Sequence, residues 1–93
     1  MKIEFDPDKS KRNARERGLP FELVAEFDWD GAVFSEDTRF PYRETRLVAL
    51  GFIEKRLHVV CFTGIPGGIR VISIRKANER EVLKYEKEKA SHG

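Results

Sequence analysis

Apolar positions crowd into the second half of the chain, in the runs RLVALGFI (46–53), RLHVVCFTG (56–64) and IRVISIR (69–75). Each is rich in Val, Ile and Phe and bounded by turn chemistry, so each predicts a β-strand. Glu54, Lys55 and Arg56 make a short hairpin turn, and GIPGG (64–68) supplies glycines that permit the positive φ angles of a second. AVFSE (32–36) follows the turn at Asp28 to Gly31 as a further strand, and Ile3 and Phe5 begin a short edge strand. With simple register in the last hairpin, Val71, Ser73 and Arg75 share a face with Val59 and Cys61. Arg70, Ile72 and Ile74 then share the core face with His58, Val60 and Phe62.

The first half reads differently. Asp6 is a good N-cap and Pro7 is favoured at the first helical position, so a helix runs from Pro7 to Arg17 and closes on Gly18. It has little apolar surface beyond Ala14, which places it on the outside of the molecule. Pro20 starts a second helix reaching about Phe27, with Phe21, Val24 and Ala25 offered to a core. After the last strand, Asn78 and Glu81 have the spacing of a capping box for a C-terminal helix. The expected fold is α+β: two N-terminal helices, an antiparallel sheet of three to four strands, and a C-terminal helix, the helices packed on one face of a meander.

A chain of 93 residues fits one domain, 1–93, with 90–93 as a frayed tail. Its 40% hydrophobic share and ten aromatic residues argue for a folded globule despite 37% charged residues. The net charge of +2 conceals a polarised distribution. Gly18 to Thr38 contains six acids and no Lys or Arg, whereas Ile69 to Lys89 holds seven basic residues against four acids. The single cysteine, Cys61, excludes an internal disulfide, and no apolar stretch has signal-peptide or membrane-span length, which fits a cytoplasmic protein.

Familiar catalytic constellations are absent from the sequence. No Gly-x-Ser-x-Gly, Walker loop or Gly-x-Gly-x-x-Gly turn occurs. His58 and Cys61 lie three apart in a strand and face opposite sides, and with His92 in the tail they do not assemble a zinc site. No metal or cofactor is expected. Glu22 and Glu26, four apart on one helical face, either hold a divalent ion or face solvent. Trp29 and Phe40 fall in loops, where a large aromatic either stacks on a nucleobase or packs on protein; Asp28 and Asp30 beside Trp29 favour packing there. The clearest chemical signal is GIRVISIRKANEREVLKY (68–85), in which a strand delivers Arg75 and Lys76 into a capped helix. Cations held at a strand end suit an anion, and a phosphodiester rewards several of them. The segment from Arg43 to Arg46 has no turn chemistry beyond Pro41 and is left unplaced.

Three stretches, FDPDKSKRNARERGLPFELVAEFD at the start, ED-R...RLVALG in the middle and IRVISIRKANEREVLKYE at the end, together resemble the BrnT toxins of bacterial type II toxin–antitoxin systems. The matched positions are Asp6, Pro7, Lys9, Asn13 and Gly18, then Arg70, Ser73, Arg75, Ala77, Glu81 and Tyr85. The resemblance implies a fold similar to the RelE ribonucleases and a metal-independent endoribonuclease that inhibits translation. It also implies neutralisation by a BrnA-like ribbon-helix-helix antitoxin, through which DNA is contacted. Relatives usually carry a histidine before the glycine that ends the first helix. Arg17 stands there in this chain, so no acid or base role passes to it.

Cleavage of RNA through its own 2′-hydroxyl needs a base, an acid and cations around a phosphorane. On this reading Arg70 and Arg75 hold the scissile phosphate, Lys76 or Tyr85 donates the proton, and His58 is an outside candidate for base. Lys9, Lys11, Arg12, Arg80 and Lys84 track the rest of the RNA. Two other classes fit the residues. A nucleic-acid-binding module without catalysis would leave RNA intact at saturation, and a protein-binding module would show negligible RNA affinity at physiological salt.

Overall fold

The computed structural model describes residues 1–92. It contains β1 (Lys2–Glu4), α1 (Pro7–Arg17), a 3-10 helix (Phe21–Glu26), β2 (Val33–Glu36), β3 (Leu47–Ile53), β4 (Arg56–Ile65), β5 (Gly68–Lys76) and α2 (Glu79–His92). The α+β class and all four main strands agree with the sequence reading. The sheet, however, is five-stranded and mixed, in the order β1-β5-β4-β3-β2, because β1 pairs parallel with β5 while the other pairs are antiparallel. Ala90 to His92, expected to fray, are the last residues of α2, and Gly93 lies outside the described residues.

The two N-terminal segments owe their shapes to different periodicities. Asp6 caps α1 by accepting from the Asp8 amide at 2.9 Å, and Gly18 closes it at φ 70° with its N–H on the Ala14 carbonyl. The expected second α-helix is instead a 3-10 helix, held by bonds from the Leu23 amide to Pro20 and from the Phe27 amide to Val24. Phe21, Val24 and Phe27 recur every third residue and all three are buried, as three residues per turn requires. Glu22 and Glu26 therefore do not share a helical face, and Glu22 instead accepts from the Ser10 hydroxyl at 2.8 Å. That hydroxyl also accepts from the Phe21 amide, tying α1 to the 3-10 segment.

Helices cover both faces of the sheet, not one. Leu19, Phe21, Val24 and Phe27 pack with Ala49, Val60, Phe62, Val71 and Ile74 on the first face. On the second, Val82 and Tyr85 of α2 close over Leu50, Leu57, Val59 and Ala77. At Gly51 the first layer is so close that an added Cβ would lie 2.6 Å from the Phe27 ring. Trp29 joins this layer, edge-on to Phe27 at 4.7 Å and to Phe62 at 5.2 Å, so it packs on protein. Among the described residues no helix is long and apolar enough to cross a membrane.

Simple register in the last hairpin holds only near its open end. Val59 pairs with Arg75, Val60 with Ile74 and Cys61 with Ser73, but Phe62 pairs with Val71. Ile72 is thus the extra residue of a β-bulge. Downstream of the turn the alternation is reversed relative to expectation: Val71 enters the core with Phe62, and Arg70, opposite Thr63, comes out on the Arg75 side.

Candidate functional site

The bulge lies on the floor of a cleft. Helix α2 covers only part of the second sheet face, leaving a cavity of about 420 Å³ whose floor is Val48, Val59, Cys61, Ile72 and Ser73. One wall is the first turn of α2 with the end of β5, contributing Glu81 and Arg75; the other is the segment from Glu36 to Arg46. Arg39, Arg46 and Arg75, far apart in sequence, converge here.

Each arginine is oriented by a partner. Asn78 and Glu81 form the expected capping box, the Glu81 amide donating to Asn78 Oδ1 and the Asn78 amide to Glu81 Oε1, both at 2.9 Å. The same Glu81 carboxylate takes two bonds from the Arg75 guanidinium, at 2.8 and 2.7 Å, so the helix cap also fixes the cation. Arg75 thereby holds the Glu81 carboxyl below the usual range, with burial opposing, and Glu81 in turn raises Arg75. Across the cleft, Asp37, only 3% exposed at its side chain, takes two bonds from the Arg39 guanidinium, one from the Arg39 amide and one from the Tyr42 hydroxyl. The Arg39 hydrogen bonds outweigh burial and bring Asp37 down to about 2. Arg46 lies over the Tyr42 ring at 4.0 Å and donates to Glu44 at 3.4 Å.

Residues Ile72 and Ser73 are shared with a second cavity, of about 180 Å³, between α1 and β5. Its lining includes Lys9, Arg12, Asn13 and Glu16, so across the bulge the arginine cleft adjoins a passage bordered by two cations of α1. Asn13 fixes that passage, its amide donating to the Leu19 carbonyl at 2.7 Å and to the Ile74 carbonyl at 2.9 Å. The second bond uses the edge of β5 that lies beyond its pairing with β1.

Of the residues singled out from sequence, Arg75 lines the cleft, and Lys9 and Arg12 line the adjoining cavity. Arg70 does not, although it shares the Arg75 face; it lies 3.7 Å from Glu4 of β1. Lys76 pairs with His58, and alternation puts both on the face opposite Arg75. His58 is buried there, and desolvation lowers its pKa against a 2.8 Å contact of Nδ1 with the Arg56 carbonyl. Tyr85 packs edge-on against Phe52 at 5.5 Å and donates to the Gly31 carbonyl at 3.2 Å, within the α2 packing. Lys11, Arg80 and Lys84 are exposed outside the cleft lining. Cys61 is on the floor, where burial pushes its thiol up and away from reactivity. Among the described residues no group of three His, Cys, Asp or Glu side chains is placed to share a metal ion.

Sequence reasoning missed Asp37, Arg39 and Arg46 as site residues, and it read Glu81 only as a cap. A signal was present in the middle motif ED-R...RLVALG, which begins at Glu36 and contains both arginines. No match is found among curated proteins. The family model described as ribonuclease toxin, BrnT, of type II toxin-antitoxin system matches residues 5–81, a span that includes every residue lining the cleft. The chain therefore belongs to the BrnT family of ribonuclease toxins.

Proposed function

We propose that the cleft binds single-stranded RNA and cleaves it without a metal, through the RNA's own 2′-hydroxyl. The observation that carries this reading is the convergence of Arg39, Arg46 and Arg75 on one cavity, beside a second that is lined by Lys9 and Arg12. Guanidinium forks match the non-bridging oxygens of a phosphodiester, and they are oriented before substrate arrives. Because each is balanced by a carboxylate at rest, an incoming phosphate shares the arginine with its partner. At Arg75 this loosens Glu81, which is ionised at neutral pH and so in the right state to accept a proton.

The reaction follows from these roles. Glu81 takes the 2′-hydroxyl proton, the 2′ oxygen attacks phosphorus, and the arginines stabilise the phosphorane. The bond to the 5′ oxygen breaks, and that oxygen takes up a proton from solvent in the open cleft. The products are a 2′,3′-cyclic phosphate and a 5′-hydroxyl. On this reading the base role considered for His58 moves to Glu81, the donor role considered for Lys76 or Tyr85 passes to solvent, and the phosphate role of Arg70 passes to Arg39 and Arg46. The family's description as a type II toxin-antitoxin ribonuclease supports an antitoxin partner and an RNA substrate; we propose further that the toxin acts in the cytoplasm, inhibits translation and is neutralised by a BrnA-like ribbon-helix-helix antitoxin.

The test is incubation of purified protein with defined RNA in a chelator, with the ends of the products mapped. Cyclic phosphate ends formed equally with and without the chelator are expected. Intact RNA, or cleavage abolished by the chelator, overturns the reading.

A further inference from the structure

The segment that supplies Asp37, Arg39 and Arg46 also builds a second hollow, of about 280 Å³, on its outer side. Glu36, Asp37, Thr38 and Arg46 line both this hollow and the arginine cleft, so the two adjoin. Its remaining lining includes Phe40 and Tyr42. Phe40 is 63% exposed, the most exposed aromatic ring identified among the described residues. The backbone beside it makes a tight turn. The Tyr42 amide donates to the Phe40 carbonyl at 2.9 Å across Pro41, a three-residue turn that the restricted φ of proline suits. Tyr42 is pinned by Asp37 on its hydroxyl and by Arg46 on its ring, and Phe40 meets it edge-on at 5.8 Å.

We infer that this hollow is a nucleobase subsite, in which the base adjoining the cleaved phosphate stacks on the free face of Phe40; the inference rests on the ribonuclease reading of the neighbouring cleft. Two features point to a base. A π face is offered to solvent on a hydrogen-bonded turn, beside a Tyr42 ring already held in place, which lowers the ordering cost of stacking. Arg46 joins the two cavities, so that a phosphate beside its guanidinium places the attached nucleoside toward Tyr42 and Phe40. Unpaired bases of RNA are splayed readily onto such platforms, whereas paired bases are not. Thr38 and Glu44, also in the lining, offer acceptors to the edge of the stacked base.

The probe is a fluorescein-labelled hexaribonucleotide carrying 2′-O-methyl groups, which blocks the nucleophile and separates binding from cleavage. Phe40→Ala should weaken its binding on the order of 5- to 150-fold, the span of a base–aromatic stack, while Phe40→Trp retains it. An abasic residue at one position of the probe should weaken wild-type binding by a similar factor and leave Phe40→Ala unaffected. Equal binding by wild type and Phe40→Ala, or fully additive losses from the abasic residue and the substitution, overturns the subsite. Loss of antitoxin binding with RNA binding intact overturns it as well, and makes Phe40 a protein anchor. A wild-type protein that neither binds the probe nor cleaves unmodified RNA overturns the parent reading, a result distinct from the others.

Discussion

Replacing Glu81 by Gln tests the double role of that carboxylate with little change in shape. The amide oxygen can still accept from the Asn78 amide, so the capping box survives in the form that glutamine allows. What is lost is the charge facing Arg75, now met at 2.7 and 2.8 Å. Unit charges about 4 Å apart attract by about 4 kcal/mol at an effective dielectric near 20. Arg75 is 39% exposed and Glu81 21%, so screening, desolvation and side-chain entropy reduce the net contribution to about 1 kcal/mol. For a domain of this size that is a fall in Tm of about 4–8 °C at neutral pH. The sign of the pH dependence follows from the lowered pKa of Glu81. Its contribution is present above the unfolded carboxyl value of about 4.3 and is lost as pH falls through the lower folded value. Thermal unfolding of the two proteins should therefore differ at pH 7 and converge in acid. Cleavage of RNA by the variant should fall about 100- to 10,000-fold in kcat with KM little changed, the effect of losing a general base. A wild-type kcat refutes the proton-accepting role, and a stability difference that does not narrow as pH falls refutes the ion pair as its cause.

Two further outcomes follow from the same contacts. Asn13→Ala removes both bonds that join α1 to the Leu19 and Ile74 carbonyls and should destabilise the protein by about 1–3 kcal/mol in urea unfolding; a loss below about 0.5 kcal/mol would contradict that anchoring role. Asp37, held down to about 2 by Arg39, orders its loop fully above the unfolded value of about 3.9 and loses that effect as pH falls through about 2, so its carboxyl resonance in NMR should show no inflection near 4.

Much of this molecule is legible in the residues because local rules agree with the fold. Asp6, Pro7 and Gly18 bound α1, Asn78 and Glu81 cap α2, and the β-branched runs mark β3, β4 and β5. The misreadings have physical causes. Phe21, Val24 and Phe27 repeat every three residues, a period that suits a 3-10 helix better than the α-helix expected from the capping proline. Ile72 looks like any core isoleucine, and nothing local says that it is the residue the ladder skips. That one bulge moves Val71 inward and turns Arg70 onto the Arg75 face, but Arg70 there lies beside Glu4 of β1, outside the cleft, so the expected partnership of Arg70 and Arg75 is not formed. The parallel pairing of β1 with β5 joins the two ends of the chain, a long-range contact that a window of sequence does not contain. The cleft was half legible for the same reason. Arg75 and Glu81 lie within one local motif, whereas Arg39 and Arg46 reach them only through the sheet and an irregular loop built around the buried Asp37.

The most direct measurement is controlled expression in a bacterium, following growth and mapping the ends of messenger RNA, with wild type beside Arg75→Ala. Growth arrest with new 5′-hydroxyl RNA ends in the wild type alone, from variants of equal solubility and abundance, is the predicted result. Equal arrest by Arg75→Ala, or arrest by wild type with RNA intact, would contradict the arginine cleft as the site of cleavage.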